Sequence, residues 1–229
     1  MKFIFFISFL LFSSLSFSQE RKVIEVVRFD KPPEIDGILD DEQWTKTKPG
    51  TTFERYMPNN GQTERPGYEN FVYMGYDNNA VYIAGKFYNP NQIPVEFSQR
   101  DNIFEVNAET FFISINPYDD NTNYQGFQIT SAGTVGDSFT SEEMSPDDWD
   151  FDTVFESDVK ITESGWSAEL KIPYSALRFP SKEIQKWAIN FGRKIAETGE
   201  VFTWNFVDNK TRKYAESKGI TSELNDISP

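Results

Sequence analysis

From residue 69 onward the chain alternates apolar and polar side chains with a period of two, in short runs broken by turn-forming residues. That pattern describes half-buried β-strands. Phe71 to Tyr76 leads through Asp77-Asn78-Asn79 into Val81 to Phe87, where Val81, Ile83 and Phe87 share one face. Glu109 to Asn116 places Phe111, Ile113 and Ile115 on one side, and Pro117 to Asn123 returns the chain into Tyr124 to Thr130. Further on, Trp166, Ala168, Leu170 and Ile172 alternate with Ser167, Glu169 and Lys171, which reads as a strand with one wet face that Pro173 closes. Trp187 to Ile195 and Val201 to Val207 make two late strands joined at Glu197 to Glu200. Between Pro173 and Pro180 there is room for one helical turn at most. Eight to ten strands without a long helix or an internal repeat predict an all-β fold, a two-sheet antiparallel β-sandwich with minimal helix.

The N-terminus is of a different kind. Met1 and Lys2 precede an apolar stretch from Phe3 to Phe12, and Ser16 and Ser18 stand where a signal peptidase requires small residues. Residues 1–18 therefore read as a signal peptide cleaved before Gln19, which leaves 19–229 as a single β domain. No second apolar run approaches the ~20 residues of a membrane helix, so no membrane span is expected in this chain. The expected location is the periplasm, outer membrane or cell surface of a Gram-negative bacterium. Without cysteine the domain must be held by packing or by a metal. A formal net charge of −14 argues against nucleic acid or anionic lipid as a partner. The chain has no histidine either, which excludes Ser-His-Asp and Cys-His catalysis and His-bearing zinc sites. No pair of carboxylates is singled out by spacing for glycoside hydrolysis, and the expectation is a domain that is not an enzyme. Aromatic residues make up 16% of the chain, enough to furnish either a strand-rich core or a sugar-binding surface.

Between Phe139 and Phe155 the alternation lapses into an acidic stretch, Ser141 to Asp152, read as a loop. Trp149 lies there among aspartates, a ring for the C–H face of a sugar with carboxylates to accept from its hydroxyls. Two clusters offer oxygens to calcium, a hard cation: Asp119, Asn121 and Asn123 in one, Asp148 and Asp150 in the other, with solvation of the charges as the alternative. Asp36 and Gly37 form a turn, the glycine supplying a backbone conformation closed to other residues. Trp44, Trp166 and Trp187 read as core anchors.

The run Pro33-Glu34-Ile35-Asp36-Gly37-Ile38-Leu39-Asp40-Asp41-Glu42-Gln43-Trp44 resembles the opening of family 9 carbohydrate-binding modules, and Asp77 to Ala84, Asn116-Pro117, Gly165-Trp166 with Glu169 and Ile172-Pro173, and Asn190-Phe191 follow in that family's order. The resemblance covers about residues 23–227. It implies a β-sandwich, often with structural Ca2+, and a neutral oligo- or polysaccharide as partner. In the family's best-studied members two tryptophans enclose a sugar end. Their positions fall here near Phe104, Val106 and Asn107, and near Arg212, Lys213 and Tyr214; neither holds a tryptophan, so sugar contact is expected through Phe104, Arg212 or Tyr214 at those positions or through Trp149 of the acidic stretch. The string from Ile172 to Pro180 is similar to a subgroup in which such a domain precedes a C-terminal outer-membrane β-barrel, which would begin shortly after 219–229. The expected function is non-catalytic glycan binding at the envelope; the alternative is a docking cap for that barrel without sugar binding.

Overall fold

A computed structural model of the chain describes residues 21–103, 105–120, 122–141, 144–211 and 217–229. The segment read as a signal peptide lies outside them, as do Phe104, Asn121, Arg212 and Tyr214.

The strands follow in chain order: β1 (Val23–Ile24), β2 (Val27–Arg28), β3 (Glu54–Met57), β4 (Asn70–Tyr76), β5 (Ala80–Tyr88), β6 (Thr110–Asn116), β7 (Asn123–Thr130) and β8 (Val135–Ser141). After them come β9 (Met144–Asp148), β10 (Glu156–Thr162), β11 (Gly165–Pro173), β12 (Ile184–Gln185), β13 (Ala188–Lys194), β14 (Val201–Thr203), β15 (Gly219–Thr221) and β16 (Leu224–Asn225). Helix is confined, among the described residues, to one turn α1 (Glu42–Thr45) and a 3-10 turn at Tyr174–Ala176 that Pro173 precedes.

The expected two-sheet sandwich is what forms. One sheet has nine strands, with β1-β15-β13-β6-β7-β8-β9 as its main path and β14 and β3 extending it beside β13; the other has five, in the order β10-β11-β5-β4-β2. One edge of β13 is shared, its first residues pairing with β15 and its last with β14. Nine of the described strands are five residues or longer, in line with the eight to ten expected; the others are pairings of two to four residues that leave no readable period. The acidic stretch corrects one expectation. It is not a loop throughout, since β8 runs through Ser141 and β9 occupies Met144–Asp148.

The alternating residues do what their period requires. Phe111, Ile113 and Ile115 of β6, Phe127 and Ile129 of β7, Ile189 and Phe191 of β13, and Trp166, Ala168, Leu170 and Ile172 of β11 meet in one core between the sheets. A second, smaller cluster lies on the far side of the five-stranded sheet. There Phe29 and Trp44 pack over Ala80, Tyr82 and Ala84, so the segment running from β2 into α1 straps that outer face. Among the described residues no helix is long and apolar enough to cross a membrane.

Candidate functional site

With the outer face of one sheet strapped, the outer face of the other carries an aromatic-lined recess. Residues of β6, β7, β13 and β8 whose neighbours point into the core turn outward in cross-strand rows. One row runs Thr203, Gly192, Phe112, Gln128, Gly136, and the next runs Asn190, Ser114, Gly126, Ser138. Together with Tyr56 and Met57 of β3, Ile103, Thr110, Tyr124, Trp149, Lys194 and Val201, most of them line a trench of about 520 Å³. Glycines lower its floor. A Cβ on Gly192 would come within 2.1 Å of the Phe112 ring, and one on Gly126 within 2.5 Å of Ser138 Oγ.

The lining is aromatic and uncharged apart from one residue. Tyr56, Phe112, Tyr124 and Trp149 supply rings, while Thr110, Ser114, Gln128, Ser138 and Thr203 supply hydroxyl and amide groups; Lys194 is the one ionised side chain among the described lining residues. Five buried side-chain polar atoms of the described residues lack a hydrogen-bond partner, and Thr110 Oγ1, Gln128 Oε1 and Thr203 Oγ1 are three of them. Native proteins pair nearly all such atoms, and each unpaired one costs about 1–3 kcal/mol. All three lie beneath the trench on β6, β7 and β14, buried under its lining.

Trp149 reaches the trench because its segment is pinned from behind. Buried Asp137 of β8 accepts from Thr153 N (2.6 Å) and from Arg100, and Phe139 packs on Phe151, 5.9 Å between ring centres. Burial raises the Asp137 carboxyl above its ordinary pKa, against the pull of Thr153 N–H and Arg100. The aspartates beside Trp149 do not line the trench: Asp148 accepts from the backbone N–H of Asp150, closing a local turn (3.1 Å). The acceptors expected at the ring from carboxylates are thus hydroxyl and amide oxygens.

The calcium candidates are likewise engaged locally. Asp119 meets the Arg21 guanidinium at 2.8 Å. Asp120 accepts from Thr122 N, Asn123 N and Asn116 Nδ2, and these bonds outweigh burial to hold its carboxyl down to about 2. Among the described residues no group of three or more aspartates or glutamates is arranged to hold a metal ion.

Asp36 and Gly37 lie on the opposite face, far from the trench in the fold. Gly37 has φ +81°, and Asp36 accepts from Ile38 N (2.9 Å). Buried Glu169 of β11 takes the Gly37 N–H (2.8 Å), the Asp36 N–H (3.1 Å) and the Trp44 Nε1–H (2.6 Å). Burial lifts its carboxyl to about 7 although all three bonds favour ionisation. Trp166 lies in the core and donates from Nε1 to Glu109 (2.6 Å). Of the residues selected from sequence as sugar contacts, Trp149 alone falls on the described trench. Phe112 and Tyr124 were missed, although they are aromatic residues in the polar phase of their strands, a signal the alternation already carries.

No protein-family model and no curated protein sequence matches the chain. Solved structures do. A family 9 carbohydrate-binding module from Caldicellulosiruptor kristjanssonii in complex with cellotriose superposes with a TM-score of 0.62 at 13% identity, covering 88% of this chain and 93% of that one. A structure of such a module from the same organism with glucose gives 0.63 at 14%, covering 90% and 96%. A Bacteroides uniformis protein assigned provisionally to carbohydrate binding gives 0.65 at 12%, covering 91% and 100%. The fold is that of these modules.

Proposed function

We propose that the protein is an exported, non-catalytic domain that binds a neutral glycan in the trench on the nine-stranded sheet. The observation that carries this reading is the coincidence of four aromatic rings with hydroxyl- and amide-bearing side chains along one trench. Aromatic faces take the C–H faces of sugar rings, and fixed hydroxyl and amide groups select the orientation of their hydroxyls. The fold neighbours with glucose and cellotriose add support by analogy of architecture. Binding without hydrolysis is the reading this lining supports: glycoside cleavage commonly uses two carboxyl groups flanking the scissile bond, and the described lining residues offer hydroxyls, an amide and an ammonium.

Calorimetric titration of residues 19–229 with a panel of neutral oligosaccharides tests it. Saturable binding is expected for at least one, and Phe112→Ala or Trp149→Ala each weakens it by about 2 kcal/mol, roughly thirtyfold in Kd. If no sugar in the panel saturates the protein, the glycan reading is wrong.

A further inference from the structure

We propose that the trench holds an internal stretch of a linear glycan, several consecutive rings laid across the strands, rather than one terminal ring in a socket. This rests on the glycan-binding reading and specifies its ligand. The argument begins with length. Lining residues run from Met57 on β3 to Ser138 on β8, five interstrand steps apart. At the usual spacing of ~4.8 Å those steps span about 24 Å, several sugar rings.

The aromatic rings occupy separate stations along the channel. Tyr56 stands on β3, Phe112 three strands further on β6, Tyr124 on the next strand, and Trp149 beyond β9 at the far side. A socket for one ring needs two aromatic faces opposed across it; rings strung out over several strands instead offer successive platforms to successive sugars. The floor between the stations is kept low by glycine. Gly192 lets the Phe112 ring lie down across its backbone rather than stand as a barrier, and Gly126 leaves room for the Ser138 hydroxyl, which accepts from Gln128 Nε2 at 3.4 Å. At the β3 end Met57 is 45% exposed, so the channel opens there toward solvent and a chain is free to continue past it.

The experiment is a chain-length series on the unmodified protein: glucose, cellotriose and cellohexaose, with the corresponding xylo- and manno-oligosaccharides, titrated calorimetrically. The expected result is an affinity that rises by roughly tenfold or more from mono- to hexasaccharide within the recognised series. Tyr56→Ala, with a melting temperature matching the parent's, is expected to remove most of that gain; Tyr56→Phe retains it. A monosaccharide that binds within about twofold of its hexasaccharide overturns the channel and leaves glycan binding standing. Absence of saturable binding across all three series overturns both.

Discussion

Glu169 is pulled in opposite directions by two physical effects. Its place on β11 puts it in the polar phase of the alternation, where the sequence leads one to expect a wet face, yet the strap carrying Gly37 and Trp44 closes over it and leaves it fully buried. The three N–H donors around it favour the carboxylate, while burial favours the neutral acid and prevails, raising the pKa from an ordinary 4.5 to about 7. A carboxyl with a raised folded-state pKa binds its proton more tightly in the native than in the unfolded chain. Its contribution to stability is therefore complete below pH 4.5 and declines as pH rises to about 7. Urea unfolding of the parent between pH 4.5 and 8 is expected to show a loss of up to ~3 kcal/mol from this group, and Glu169→Gln flattens that slope. An unchanged slope in the variant would assign the pH dependence to other groups. The companion residue Gly37 tests the same contact from the other side: a Cβ there would sit 2.5 Å from the Val159 carbonyl carbon at φ +81°. Gly37→Ala is expected to lower stability by about 2 kcal/mol or more in thermal or chemical melts.

At the level of elements, legibility tracks period. Strands such as β4, β5, β6, β7, β11 and β13 were readable because each turns large apolar side chains toward the core at every second residue, and that two-residue period survives the mapping from sequence to sheet even where the other face is covered too. β8 broke the pattern for a physical reason. Asp137 points inward and is made tolerable by Arg100 and Thr153, partners distant in sequence that no local reading supplies. β1, β2 and β3 are two to four residues long, too short to display alternation. The trench was half legible. Trp149 stood out as an aromatic residue in an acidic stretch, but Phe112 and Tyr124 were absorbed into the strand argument, and Thr110, Gln128 and Thr203 become distinctive only once burial leaves their oxygens unpaired. The strap was read in part: its Ile-Asp-Gly turn and Trp44 were recognised, while the carboxylate they converge on was not.

For the molecule as a whole the question is what holds two sheets in register without a disulfide. Apolar packing is non-directional, whereas the polar network at the centre of the core is not. Arg193 of β13 and Glu109 beside β6, both with side chains 0% exposed, form an ion pair at 2.7 Å on the nine-stranded sheet. Across the gap Arg193 also donates to Tyr88 O and Asn70 Oδ1, and Glu109 accepts from Trp166 Nε1, all three on the five-stranded sheet. Each charge is thus satisfied by both layers, and a slip of either sheet breaks several bonds together. Removing one partner strands the other charge in the interior, so Arg193→Met is expected to lose about 3–5 kcal/mol in urea unfolding. Replacing both, as Glu109→Gln with Arg193→Met, removes the uncompensated charge, and its loss is expected to fall short of the sum of the single losses by on the order of 1–3 kcal/mol. Strict additivity would mean that the two side chains act independently. Because Thr110 and Lys194, the immediate neighbours of Glu109 and Arg193, turn outward into the trench, the single variant is also expected to weaken ligand binding, and the double variant to recover part of it.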